Sequence, residues 1–177
     1  TLGKKIAEHF DFHYLDTGIL YRIVAYNLQY NSDCSKISKH KIQTSLKLLN
    51  NKNFNSTVLR DEKITLKASE ISKNKIVRDN LLFYQRDFAK QKGGAVLDGR
   101  DIGTVVCPDA DVKIFVDADV KIRATRRYDQ LFKNNKDLNL KNILDDLSKR
   151  DNLDKNREFS PMVPAKDAFL LDTSNLT

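Results

Sequence analysis

At 177 residues, with 40% hydrophobic and 31% charged side chains, the chain is sized for one domain, or one domain with a small insert, around a sizeable core. No apolar run approaches the ~18 residues of a membrane span and no signal peptide is visible. Cys34 and Cys107 fit no disulfide or metal spacing, so a reducing cytoplasm is the expected setting. A net charge of +7 suits anionic partners, nucleic acid or small phosphates alike, although the lysines are spread as on an ordinary solvated surface.

The opening TLGKKIAEHF predicts a helix, because Leu2, Ile6 and Phe10 recur every four residues. FHYLD then ends at Asp16, and three later runs end the same way: AVLD at Asp98, KIFVD at Asp117 and FLLD at Asp172. Short apolar runs bounded by turn signals read as strands of a parallel sheet buried on both faces. TGILYRIVAYNL predicts a helix with Ile19, Leu20, Ile23, Val24 and Leu28 on one side and Thr17 as its cap.

QTSLKLLNNKNF reads as a further helix, and TVLRDEKITL as a hairpin turning at Arg60–Lys63. A hairpin there suggests a small inserted subdomain over residues 31–75. KIVRDNLLFYQRDFAKQ repeats Val77, Leu81, Tyr84 and Phe88 at helical spacing. KIRATRRYDQLF puts Arg123 and Arg127 on one helical face with Arg126 beside them, and FKNNKDLN reads as an exposed connection. LKNILDDLSKR carries Leu140, Ile143, Leu144 and Leu147. Alternating strands and helices predict a doubly wound α/β fold, in which ligands bind beyond the carboxyl ends of the strands. The four strand-end aspartates stand at that place, although aspartate is also a common turn residue.

Two charge clusters interrupt the apolar pattern. VLDGRDIGTVV places Asp98, Arg100 and Asp101 between aliphatic stretches, with Gly99 expected to turn the backbone where the strand stops. In KRDNLDKNREFSPMVPA, Arg150, Asp154 and Arg157 stand at i, i+4 and i+7, one face of a continuing helix that Pro161 and Pro164 end. The plain reading is an ion-pair ladder worth ~0.3–0.5 kcal/mol per pair. The functional one is a fork of two guanidiniums about a carboxylate, able to hold a phosphate and a hydroxyl. Arg22 and Arg78 also lie near helix starts beside strand ends. Several arginines at the rim of one crevice suit phosphoryl transfer, where catalysis is mostly positioning and charge stabilisation. Zinc spacings, GxSxG, GxGxxG and GxxxxGK[ST] are absent, and His9, His13 and His40 are scattered.

Taken in order, YLDTGILYR, LDGRDIGTVVCPDADVKIFVDA, RATRR and KRDNLDKNREFSPMVPAKDA resemble the bacterial cytidylate (CMP) kinases over nearly the whole chain. The resemblance implies an α/β fold: a three-layer doubly wound parallel sheet of the P-loop NTPase, nucleoside monophosphate kinase type. An inserted substrate-binding subdomain and a short lid at residues 123–139 would complete it. It implies ATP-dependent phosphorylation of CMP or dCMP, with Mg²⁺, by direct in-line transfer. Thr1 would directly follow the phosphate loop, so a first strand and that loop are expected before it and a final helix after Thr177. Relatives also carry a longer stretch where residues 68–76 stand here.

Residue by residue, the resemblance gives Thr17 and Asp101 the polar edge of cytosine. Arg22 and Arg100 take the monophosphate, and Arg78 phosphate or base. Arg150 and Asp154 take the ribose, and Arg157 the base or phosphate side. Arg123, Arg126 and Arg127, with Thr1, fall to the ATP phosphates, Arg100, Arg123 and Arg127 being the catalytic set. Asp98 falls to magnesium through water, and Asp16 orients its neighbours. The expected partners are CMP, dCMP and ATP, with no nucleic acid or membrane, in a cytoplasmic monomer. Two alternatives stand beside this reading. One is another small-molecule P-loop kinase, of adenylate, UMP or shikimate type. The other is a basic nucleic-acid-binding protein, for which no RNP-type aromatic stretch, helix-turn-helix signal or dense basic tract is present.

Overall fold

A computed structural model of the protein describes residues 2–30, 37–50, 56–132 and 138–176. It divides into two compact units, residues 1–102 and 103–177, each built from helices and one pair of parallel strands.

In the first unit, α1 (Leu2–Phe10) leads into β1 (His13–Asp16), α2 (Thr17–Tyr30) and α3 (Lys39–Lys47). After them come α4 (Glu62–Ile71), α5 (Lys75–Ala89) and β2 (Ala95–Asp98). β1 and β2 are parallel and in register, Tyr14 opposite Val96, Leu15 opposite Leu97 and Asp16 opposite Asp98. Side chains alternate along a strand, so one face carries Tyr14, Val96 and the two aspartates, and the other Leu15 and Leu97. The second face joins the core: Leu20, Ile23 and Val24 of α2, Ile42 of α3, Ile64 of α4, and Val77 and Leu81 of α5, all but inaccessible to water. Each such side chain contributes about 1.5–3 kcal/mol by leaving water, so this core holds the strand ends in place.

The hairpin expected over residues 57–66 does not form. A 3₁₀ turn (Ser56–Arg60) runs into α4, whose first turn is capped by Asp61, its carboxylate accepting from the Lys63 N–H at 2.8 Å. Ile64, Ala68 and Ile71 are buried at helical spacing in α4, which packs on α2. The β-branched residues Val58, Ile64 and Thr65 suggested strand, but burying one helical face outweighs that weak preference. The join at Ser72–Asn74 is a closed turn: the Asn74 side chain accepts from the Ile76 and Val77 N–H groups at the start of α5.

The second unit holds β3 (Ile114–Asp117), α6 (Val120–Phe132), α7 (Leu140–Asn156) and β4 (Phe169–Asp172). β3 and β4 are parallel, with Asp117 opposite Asp172. All four apolar runs are therefore strands, and all four end on an aspartate. The expectation of burial on both faces fails here. Phe169 and Leu170 are 70% and 72% exposed, and Ile114 and Val116 are exposed as well. The reason is local: α6 packs chiefly along α7 rather than across the strands. After β2, the aliphatic stretch Ile102–Val106 forms a single π-helical turn.

Among the described residues no helix is long and apolar enough to cross a membrane. Cys34, Thr1, part of the 31–75 insert and residues 133–137 of the 123–139 lid lie outside the described residues.

Candidate active site

The carboxyl ends of β1 and β2 gather the first cluster. Asp16 and Asp98 face the same side of the sheet, being Cα partners. Asp16 caps α2 in place of the expected Thr17: its Oδ1 accepts from the Gly18 N–H at 2.9 Å. Its Oδ2 takes the Arg22 guanidinium at 2.7 Å, so Asp16 orients its neighbours. Thr17 is buried and its hydroxyl donates to the Asp98 carbonyl at 2.8 Å. That bond ties the start of α2 to the end of β2.

Gly99 has a different reason from the one its sequence suggests. It is not among the glycines with positive φ, which are Gly93 and Gly94. A Cβ there would collide with the Thr17 hydroxyl and lie 2.8 Å from Ile102 Cδ1. Space, not backbone freedom, requires glycine. Beyond it, Arg100 is exposed while Asp101 is buried and paired with Arg78 of α5. Arg78 Nη1 also donates to the Ser72 carbonyl at 3.1 Å, and its guanidinium lies 5.9 Å from the centre of the Tyr21 ring. Thr17, Arg22, Arg78, Arg100 and Asp101 thus stand on the connected ends of β1, β2, α2 and α5.

The first turn of α1 reaches the same strand ends. Gly3 lets it approach closely, since a Cβ there would lie 3.3 Å from the Tyr14 ring and 3.7 Å from Asp98 Cβ. Unpaired N–H groups and the helix dipole make such a terminus favourable for phosphate. Tyr14 donates its hydroxyl to Asp98 Oδ2 at 3.3 Å. Among the described residues no three His, Cys, Asp or Glu side chains cluster as metal ligands. With Asp16 engaged by Arg22, the donor set fits a Mg²⁺ carried by phosphate oxygens and water with Asp98 as its one carboxylate.

The second cluster lies on α6 and α7. α7 ends at Asn156, and Arg157 is its extended C-cap rather than a further helical residue. Its side chain nonetheless returns to the helix, with Nη1 3.6 Å from Asp154 Oδ1 and Nε donating to the Ser160 carbonyl. Arg150 Nε is 3.9 Å from Asp154 Oδ2, and Asp154 is buried. The Met162 N–H donates to the Asp154 carbonyl at 2.8 Å, folding the proline segment back on α7. Both guanidiniums thus lie within ion-pair distance of one carboxylate, an arrangement common to the ladder and to the fork.

On α6, Arg123 donates to the Ala118 carbonyl and to Asp151, while Arg126 donates to the carbonyls of Thr173 and Leu176. Arg127 donates to Gln130 Oε1 at 3.0 Å. Tyr14, Tyr21 and Asp151 escaped the sequence reading.

The family model described as cytidylate kinase matches residues 1–177. The chain belongs to the cytidylate kinase family. Family membership makes it a transferase of the nucleoside monophosphate kinase class, which phosphorylates CMP with ATP, and implies a P-loop NTPase fold. It is 45% identical over 177 residues to a cytidylate kinase of Bartonella tribocorum, covering all of this chain and 82% of that protein. A cytidylate kinase of Bradyrhizobium diazoefficiens is 44% identical over 176 residues, covering 99% of this chain and 82% of its own length. The cytidylate kinase of Bartonella henselae is 45% identical with the same 82% coverage.

Proposed function

We propose that the protein converts ATP and CMP or dCMP to ADP and CDP or dCDP by direct in-line transfer, without a covalent enzyme intermediate. An oxygen of the monophosphate bonds to the γ-phosphorus while the bond from that phosphorus to the β,γ-bridging oxygen breaks, and ADP leaves with the electron pair. Thr17 and Asp101 take the polar edge of cytosine. Arg22 and Arg100 hold the monophosphate, and Arg78, paired with Asp101, reaches phosphate or base. Arg150 and Asp154 contact the ribose, and Arg157 the base or phosphate side. Arg123, Arg126 and Arg127, with Thr1, serve the ATP phosphates. Arg126 would first have to leave its carbonyl partners.

Asp98 would hold Mg²⁺ through water, and that ion, when bound, neutralises charge on the phosphates. A three-layer doubly wound sheet, a 31–75 subdomain and a 123–139 lid complete the proposed enzyme, which acts as a cytoplasmic monomer.

The observation that carries the substrate reading is the buried Arg78–Asp101 pair, with Thr17 also buried at the end of β1. A buried site that hydrogen-bonds one base leaves polar groups unpaired when another enters, and such sites discriminate by ~10⁴ or more. The test offers the full-length protein ATP, Mg²⁺ and, in turn, CMP, dCMP, UMP, AMP and shikimate, with ADP release followed. CMP and dCMP should turn over best. A preference for AMP or shikimate overturns the proposal.

A further inference from the structure

α6 and α7 pack along each other, and an ion pair ties their charged faces. Arg123 Nη2 donates to Asp151 Oδ2 at 2.5 Å and Arg123 Nε to the Ala118 carbonyl at 2.9 Å. The planar guanidinium is thus fixed from two directions, once by backbone just after β3 and once by α7. The pair is sheltered, with side chains 30% and 17% exposed. On α7, Asp151 follows Arg150 and precedes Asp154 by three residues, yet its carboxylate serves α6 while Asp154 takes Arg150 and Arg157.

We infer that Asp151 is a positioning residue that presets the Arg123 guanidinium for the ATP phosphates. The inference rests on the proposed assignment of Arg123 to those phosphates. A long side chain loses rotamer freedom when it binds a ligand, and an arginine ordered beforehand has already lost it on folding. Preorganised donors also need no rearrangement as charge develops on the transferring group. Asp151 touches no substrate and acts only through Arg123.

The test uses the full-length enzyme and the variants Asp151→Asn, Asp151→Ala, Asp151→Glu, Arg123→Ala and Arg123→Ala/Asp151→Ala. Steady-state kinetics are measured with ATP and CMP varied separately, and thermal midpoints alongside. Asp151→Asn, which keeps the shape and removes the charge, should lower kcat by about ten-fold with KM for CMP changed by less than about two-fold. Asp151→Glu should restore part of the loss. The double variant should be no slower than Arg123→Ala alone, since Asp151 has then nothing left to place.

Losses that multiply in the double variant overturn the inference, because Asp151 would then act by another route. So does full kcat in Asp151→Asn beside an impaired Arg123→Ala. Unchanged kinetics in Arg123→Ala itself overturn the assignment of Arg123 and the inference with it.

Discussion

Arg78 and Asp101 form an ion pair across 23 residues of chain, both side chains only 10% exposed, at the point where the end of β2 meets α5. Charges so enclosed are retained at a cost in desolvation that their mutual attraction only partly offsets. This pair therefore separates what the fold needs from what the site needs.

Removing one member leaves the other's charge buried and uncompensated, which costs about 3–5 kcal/mol. Arg78→Ala should lower the unfolding free energy by that order in urea titration. Arg78→Met/Asp101→Leu should recover most of the stability, yet lose CMP binding in calorimetry. A double variant that still binds CMP would show that the pair is only structural.

Gly99→Ala places a methyl group against the Thr17 hydroxyl and Ile102. Overpacking of this kind costs about 1–3 kcal/mol. Here it should also break the Thr17 bond to the Asp98 carbonyl. A lowered thermal midpoint with a raised KM for CMP is expected, and an unchanged KM would count against Thr17 as a base contact.

Lys113 donates to Asp167 Oδ2 at 2.5 Å and also to the Pro108 carbonyl. That hydrogen bond from Lys113, foremost, holds the Asp167 carboxyl below its ordinary pKa. A depressed carboxyl stabilises the fold above its unfolded value and loses that contribution as pH falls through the folded one. Thermal midpoints of the protein and Asp167→Asn should differ at neutral pH, and the difference should start to shrink only below pH ~4, closing as pH passes the lowered folded pKa. A constant difference would exclude the ion pair as its cause.

The charge is unevenly shared. Residues 1–102 carry 18 Lys and Arg against 11 Asp and Glu, and residues 103–177 carry 13 of each, so the first unit accounts for the whole +7. Attraction of an anionic nucleotide to such a surface is screened beyond ~8–10 Å at ordinary salt. Raising ionic strength should lower kcat/KM for CMP with little change in kcat. Salt-independent kcat/KM would show that the field plays no part in encounter.

Much of the fold was legible because the apolar periodicities were strong. The helix now defined as α2 and the four strands ending at Asp16, Asp98, Asp117 and Asp172 follow from spacing alone. The hairpin reading failed because Val58, Ile64 and Thr65 have strand-like shapes while their burial is decided by α2, a partner local sequence does not reveal. The π-turn at Ile102–Val106 left no sequence signal, because its aliphatic residues suit several backbone forms. Exposure of β3 and β4 was equally illegible, since two-faced burial depends on which elements pack across a strand. In the site, residue types and their order pointed to Arg22, Arg78, Asp101, Asp154 and Arg157. The pairings did not follow from it: Arg22 to Asp16, Arg78 to Asp101 and, on α6, Arg123 to Asp151 are set by tertiary geometry.

The in-register strand ends carry a consequence for how this sequence is free to drift. Because side chains alternate along a strand, an inserted or deleted residue in β1, β2, β3 or β4 would flip its terminal carboxylate to the opposite face. Exchanges such as Val for Ile within the runs leave the parity intact. The four strands therefore tolerate changes of letter far better than changes of count, and length variation among functional descendants should collect in the helices and connections instead.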